Sequence, residues 1–231
     1  MQEADIVIYN GLHLEGKMGD IFASLTEQNR QVICAADGID TSMLLSDENN
    51  PDIYDPHVWF DVNIWKDASR HIASQLCVMD PDHADSYQAN LEIYLAELDE
   101  LDTYIRQRTA ELPEDQRVLV TAHDAFRYFG KAYGFEVKGL QGISTDAEAG
   151  TADVSNLATF IADRKIKAIF VESSVPPKNI EALQAAVTAK GFDVAIGGEL
   201  YSDSLGDAAS GNDTYPATCR ANIDTIVDAL K

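Results

Sequence analysis

Six short apolar runs, each bounded by turn residues and parted from the next by helical periodicity, restrict this chain to an α/β architecture. The runs are DIVIYN (5–10), QVICAA (31–36), RVLVTAH (117–123), FEVKGL (135–140), KAIFVES (167–173) and FDVAIGG (192–198). Hydrophobicity that is near-continuous rather than alternating fits parallel strands buried on both faces. Helical patterns occupy 16–28, 62–78, 124–133, 151–165, 178–190 and 215–230. Strands and helices taking turns in this way pack as helices on parallel sheets. Pro177 ahead of KNIEALQAAVTAK, with Gly191 just after it, is a start-and-stop pair for one of those helices.

One segment breaks the rhythm. Residues 81–113 contain no strand pattern and stay helical in period from Pro81 to Pro113. Leu91, Tyr94, Leu95, Leu98, Leu101, Tyr104 and Ile105 keep an i, i+3, i+4 spacing with charged residues on the other face. Too few heptads are sustained to prefer a coiled coil. The expectation is therefore two parallel-sheet α/β lobes joined by one long connecting helix. The N-terminal lobe covers 1–80, the helix 81–113 and the C-terminal lobe 114–231.

Composition narrows the function. Of 231 residues, 45% are hydrophobic, enough for a sizeable core. Acidic side chains outnumber basic ones 39 to 17, a formal charge of -22, and such a field repels phosphate backbones. Nucleic acid is thus not an expected partner. Cys34, Cys77 and Cys219 are far apart and odd in number, so they read as ordinary packed thiols. No apolar run reaches the length of a transmembrane helix. MQEADIVIYN has neither a basic leader segment nor a long apolar one, so no signal peptide is expected in it.

The histidines carry the chemistry. His71, in DASRHIASQL, and His83, opening the long helix, read as surface or packing residues. His13 follows the first strand, His57 precedes a helix in DPHVWFDV, and His123 ends RVLVTAH just before another helix. Asp203, in GGELYSDSLGD, lies just beyond the last strand. All four stand at strand-to-helix transitions, where open α/β sheets bind their ligands. Three imidazoles and a carboxylate suit zinc, copper, iron or nickel, and the carboxylate admits manganese. The ligands are far apart in sequence, unlike compact zinc motifs. Four unrelated polar residues at strand ends remain the alternative on spacing alone.

YNGLHLEGKM, DPHVWFDV, VTAHDAFRYFGKAYGFEVKGLQGIST and GGELYSDSLGD, in this order, resemble the metal-binding receptors of ABC importers for manganese and zinc. These are the cluster A-I solute-binding proteins, and the likeness is greatest to the spirochaete type. It extends over essentially the whole chain, including NIDTIVDALK at its end. The resemblance implies metal ligands at His13, His57, His123 and Asp203, the first two from the N-terminal lobe and the others from the C-terminal lobe. It implies one site for Zn2+ or Mn2+ in the cleft between lobes, little hinge motion about a rigid helix, and delivery of the ion to an ABC permease. A monomer in the periplasm, or on the outer face of the cytoplasmic membrane, is expected. Members of the family open with a signal peptide and a strand–helix–strand unit ahead of the segment similar to ADIVIYNGLH. The expectation is that the N-terminal lobe lacks that unit, about 30 residues or more.

On metal identity the features diverge. The acidic loop at 38–55 has no histidine, unlike the histidine-rich loops of zinc-dedicated relatives, while manganese-leaning relatives often place a carboxylate where His123 stands. Ligand softness favours zinc. A metal-dependent hydrolase is the rival reading, since three nitrogen ligands with an open position activate water. Asp203 would close that position, and no H-E-x-x-H motif supplies a base. A Ser/His/Asp hydrolase using His123 with Asp124 lacks a G-x-S-x-G elbow, and nothing in these residues speaks for a purely adhesive role. No enzymatic activity is expected.

Overall fold

The structure is a computed structural model that describes residues 3–47, 50–144 and 149–231. Thr145, at the end of one motif quoted above, and residues 48–49 of the acidic loop lie outside the described residues. The chain separates into two compact units, residues 1–100 and 101–231.

In the first unit, strand β1 (Ile6–Tyr9) leads through a short 3-10 turn into helix α1 (Gly19–Glu27), and the chain returns as β2 (Gln31–Cys34). The two strands are parallel, from Ile6 opposite Gln31 to Tyr9 opposite Cys34. Among the described residues β2 is the only ladder partner of β1, which is why Ile8 stays 47% exposed despite the expectation of a strand buried on both faces. Helix α2 (Val62–Met79) starts where the Asp61 carboxylate accepts the Asn63 N–H at 2.9 Å. It buries Val62, Ile64 and Ala68, and Phe60, Ile33 and Phe22 of the same unit are buried too. Each such large apolar side chain contributes about 1.5–3 kcal/mol on leaving water. Trp65 Nε1 donates to Tyr94 Oη at 3.0 Å, and Lys66 Nζ meets the Asp99 carboxylate, so α2 is fastened to the first part of helix α3 (Ala84–Thr109).

The long helix falls where its periodicity predicts. A 3-10 turn at Pro81–His83 precedes it, and the boundary between the two units lies within it, after Glu100. No helix among the described residues is long and apolar enough to cross a membrane.

The second unit continues through β3 (Val118–His123), α4 (Arg127–Tyr133), β4 (Glu136–Gln141), α5 (Thr151–Arg164), β5 (Ala168–Glu172), α6 (Lys178–Thr188), β6 (Ala195–Leu200) and α7 (Tyr215–Leu230). β3 pairs with β4 and β5 with β6, all parallel. β3 is buried at every position, as a near-continuous apolar run predicts, whereas β6 leaves Ile196 37% exposed. β3 packs beside β5, so the carboxyl ends of these strands, His123 and Glu172, are neighbours. Val118, Val120, Ile161, Ile169, Ile180, Leu183 and Val187 form the core between strands and helices. Thr214 caps α7 by accepting the Ala217 N–H at 3.4 Å, and Arg108 near the end of α3 reaches Asp224 at 2.8 Å and Asp228 at 2.6 Å on α7. Cys34, Cys77 and Cys219 are free thiols.

Candidate metal centre

His57 follows Pro56 at the mouth of the 3-10 turn Val58–Phe60 and is 2% exposed. Its partner is Asp55, fully buried, whose Oδ1 accepts the His57 backbone N–H at 3.0 Å and sits 2.7 Å from the ring Nδ1. Asp55 is itself anchored, its N–H donating to Leu45 O at 2.7 Å. In the neutral imidazole this puts the proton on Nδ1, so Nε2 carries the lone pair that a metal takes. The Trp59 ring stands edge-on at 5.2 Å between centroids and limits how far the imidazole turns.

In the second unit the pattern recurs on a strand end. His123 closes β3 with no exposed surface. Its backbone N–H donates to Glu172 Oε1 at 2.8 Å, and its Nδ1 is 2.6 Å from Glu172 Oε2. Its Nε2 lies 3.5 Å from Asp203 Oδ1. Burial works against an imidazolium here, but the hydrogen bonds and charges of Asp203 and Glu172 outweigh it and raise the His123 pKa to about 10. Gly139 of β4 passes so close that a Cβ on it would lie 2.5 Å from Asp124 N and 2.7 Å from His123 C.

Asp203 is carried by the turn after β6. Ser202 Oγ is 2.6 Å from Ser174 Oγ, which ties that turn to the loop after β5. Asn222 of α7 brackets Tyr201, accepting its N–H at 2.9 Å and donating to its carbonyl at 2.8 Å. The structure thus brings His123 and Asp203 together and backs the pair with rigid elements.

His13 is held in another way. It is exposed at a turn in which Gly11, Leu12 and His13 have φ of 90°, 53° and 66°. For the two non-glycine residues this costs roughly 1–2 kcal/mol each. The turn is cross-braced: Glu15 Oε1 accepts the Asn10 N–H at 2.6 Å, Glu15 Oε2 accepts the Gly11 N–H at 3.2 Å, and Asn10 Nδ2 donates to Pro56 O at 3.1 Å. Asn10 therefore links the His13 turn to the loop that carries His57.

Sequence reasoning singled out the histidines and missed the carboxylates behind them. Asp55 stands two residues before His57 inside a motif already noticed, and Glu172 ends an apolar run where it passes for a turn residue. The readings of His71 and His83 hold. A Cβ on Gly38 would lie 2.1 Å from His71 Cβ, a packing contact, and exposed His83 pairs with Asp80 at 2.8 Å.

Comparison with known proteins gives the chain its relatives. The family of the zinc-uptake complex component A, periplasmic, matches residues 1–229. The zinc-binding protein TroA of Treponema pallidum is 50% identical over 227 residues, 98% of this chain and 73% of the relative. The manganese-binding lipoprotein MntA of Bacillus subtilis is 45% identical over 231 residues, 100% of this chain and 75% of the relative. The solved structure of the periplasmic zinc-binding TroA superposes with a TM-score of 0.94 at 50% identity, covering 98% of this chain and 81% of that one. With the match running along nearly its whole length, this chain belongs to the zinc-uptake component A family of periplasmic metal-binding proteins.

Proposed function

We propose that this chain is the extracytoplasmic receptor of an ABC metal importer, capturing one Zn2+ or Mn2+ ion and surrendering it to the permease. The family and its zinc- and manganese-binding members support this reading, and they are transport receptors rather than enzymes. Nothing favours the hydrolase alternative. The relatives work in the periplasm or as lipoproteins, and that is where this chain acts.

The ligands this reading gives the ion are His57, His123 and Asp203, with His13 as the resemblance of its motif implies. The observation that carries the reading is the buried carboxylate behind each of two buried histidines, Asp55 behind His57 and Glu172 behind His123. Carboxylate–histidine pairs of this kind fix the tautomer and make the other ring nitrogen a stronger metal ligand. Asp203, 3.5 Å from His123 Nε2, supplies the negative charge that offsets the cation. Three nitrogens and one oxygen suit zinc by softness and still accept manganese. The protein is a monomer that meets the permease in its metal-loaded form.

The test is metal stoichiometry on chelator-stripped protein, with zinc and manganese titrated separately by calorimetry. One tight equivalent is expected, weakened in His57→Ala, His123→Ala and Asp203→Ala alike. Tight binding that survives all three substitutions would place the ion elsewhere and end this assignment.

A further inference from the structure

Asp203 is carried just past the end of β6, where the strand ladder has stopped. The last pair in that ladder is Glu172 with Leu200, so Tyr201 lies one residue beyond it. Its N–H and C=O find partners on α7 instead. Asn222 Oδ1 accepts the Tyr201 N–H at 2.9 Å, and Asn222 Nδ2 donates to the Tyr201 carbonyl at 2.8 Å. A side-chain amide offers an acceptor and a donor side by side, as a neighbouring strand would. Asn222 is 4% exposed and sits inside α7, where asparagine is a weaker helix former than alanine. Its place there follows from the two bonds it makes. The far end of the same loop is tied to the same helix, with Thr218 Oγ1 donating to Asn212 O at 2.6 Å. The Asp203 side chain is 28% exposed, whereas His123, whose Nε2 is 3.5 Å from Asp203 Oδ1, has no exposed surface. Packing therefore fixes the histidine, and the backbone at Tyr201 fixes the carboxylate.

We propose that Asn222 is the positioning residue for Asp203, its amide gripping Tyr201 on both sides so that the carboxylate two residues on is set in place for the ion. The proposal rests on the reading of Asp203 as a ligand. Asn222 touches no metal in this scheme. It acts as Asp55 and Glu172 act on their histidines, but on the backbone rather than on a ring. Its grip also bears on which ion is held. Imidazole nitrogen suits zinc, whereas manganese depends more on carboxylate oxygen. A carboxylate held in place thus favours manganese more than zinc, and Asn222 sets how well manganese competes.

Zinc alone and manganese alone, each titrated by competition calorimetry into the stripped full chain, test this with Asn222→Ala, Asn222→Asp, Asp203→Ala and the Asn222→Ala/Asp203→Ala pair. Asn222→Ala should weaken manganese by about 10–100-fold, the range for residues that orient metal ligands, and zinc by less than that. In the Asp203→Ala background it should add no further loss for either ion, because the group it positions is gone. Asn222→Asp keeps the residue's shape and the acceptor for the Tyr201 N–H, and removes only the donor to the carbonyl. It should show the same order of metals. Unchanged affinity in Asn222→Ala, with Asp203→Ala weakened, overturns the proposal and leaves the site intact. An equal fold-loss for the two ions also overturns it, since a general loosening of the fold does not distinguish them. A loss that persists in the Asp203→Ala background overturns it too, because the effect then bypasses Asp203. Full affinity for both ions in Asn222→Asp overturns it even where Asn222→Ala fails to fold. Undiminished binding of both ions by Asp203→Ala removes Asp203 from the ligand set, and the proposal falls with that reading.

Discussion

Glu172 grips His123 at two points, accepting its backbone N–H on Oε1 at 2.8 Å and standing 2.6 Å from the ring Nδ1 with Oε2. Asp55 does the same to His57 at 3.0 and 2.7 Å, using a single oxygen. One contact fixes where the residue leaves the backbone, and the other fixes which way its ring faces. Two points are what a ligand needs to be set before the ion arrives. The partners differ in sequence distance, with Asp55 two residues away and Glu172 49. The same local chemistry was therefore built once within a loop and once between strands.

Glu172→Gln should weaken zinc binding by about 10–100-fold while the chain still folds. The amide has the shape of the carboxylate, but its NH2 group now competes to face Nδ1. If it does so, the ring proton moves to Nε2 and blocks the position proposed for the metal. Asp55→Asn should behave alike at His57. Calorimetry gives the affinity and nitrogen-detected NMR gives the tautomer. Full zinc affinity in both variants would mean that the carboxylates serve folding alone.

With His123 as a proposed ligand, its raised pKa should make metal capture a proton-release reaction. The folded value is about 10 against an ordinary 6.5, so the metal-free protein holds a proton that the unfolded chain lacks between those values. A folded pKa above the unfolded one means stability that is fully present below about 6.5 and lost as pH rises through about 10. Metal and proton compete for Nε2, so zinc binding near neutral pH should release about one proton from His123. Titrations in two buffers of different ionisation enthalpy count it. Zero protons released would show that His123 is already neutral in the metal-free state.

How much of this was legible follows from what each element needs. The six strands and the helices between them rest on local hydrophobic period, and all are present. The edges slip where a distant contact decides. The last strand read as ending at the Gly197–Gly198 pair, yet β6 runs on to Leu200. A Cβ on Gly197 would lie 2.7 Å from Ala229 Cβ on α7, so that glycine serves close packing and not a turn. Helix α4 read from 124 but begins at Arg127, and the Asp124 N–H instead continues the strand pairing to Gly142 O at 3.3 Å. His57 and His123 drew notice in the sequence because each precedes a helical stretch, and His123 also ends a strand, where open sheets bind ligands. Glu172 did not, since an acid ending an apolar run shows nothing locally of a histidine on another strand.

Gly139→Ala should damage the site without touching a ligand. The new methyl would meet backbone on the facing strand end, 2.5 Å from Asp124 N and 2.7 Å from His123 C. Neither atom can rotate away, so the end of β3 must shift. Overpacking of this kind costs about 1–3 kcal/mol, and a displaced His123 should lower zinc affinity as well. Gly142→Ala is the control, because its Cβ meets nothing within 4 Å. Thermal melting and zinc titration on the pair should separate them clearly. Equal behaviour of the two variants would mean that the strand end tolerates the extra atom.

Metal itself should be a strong stabiliser of this chain, because an ion bound only by the folded state adds its binding free energy to stability. At a free zinc level 1,000 times the dissociation constant the gain is about 4.1 kcal/mol. For a chain of this size each kcal/mol moves the melting midpoint by about 2–4 °C, so saturation should raise it by roughly 8–16 °C. Chelator should return it to the metal-free value. In His57→Ala and His123→Ala the same zinc concentration should give a much smaller rise, since each removes a nitrogen ligand and leaves a buried carboxylate facing an apolar replacement. Each variant should also melt lower than the unaltered chain before any metal is added. A full zinc-induced rise in either variant would mean that the histidine braces the fold and does not bind the ion.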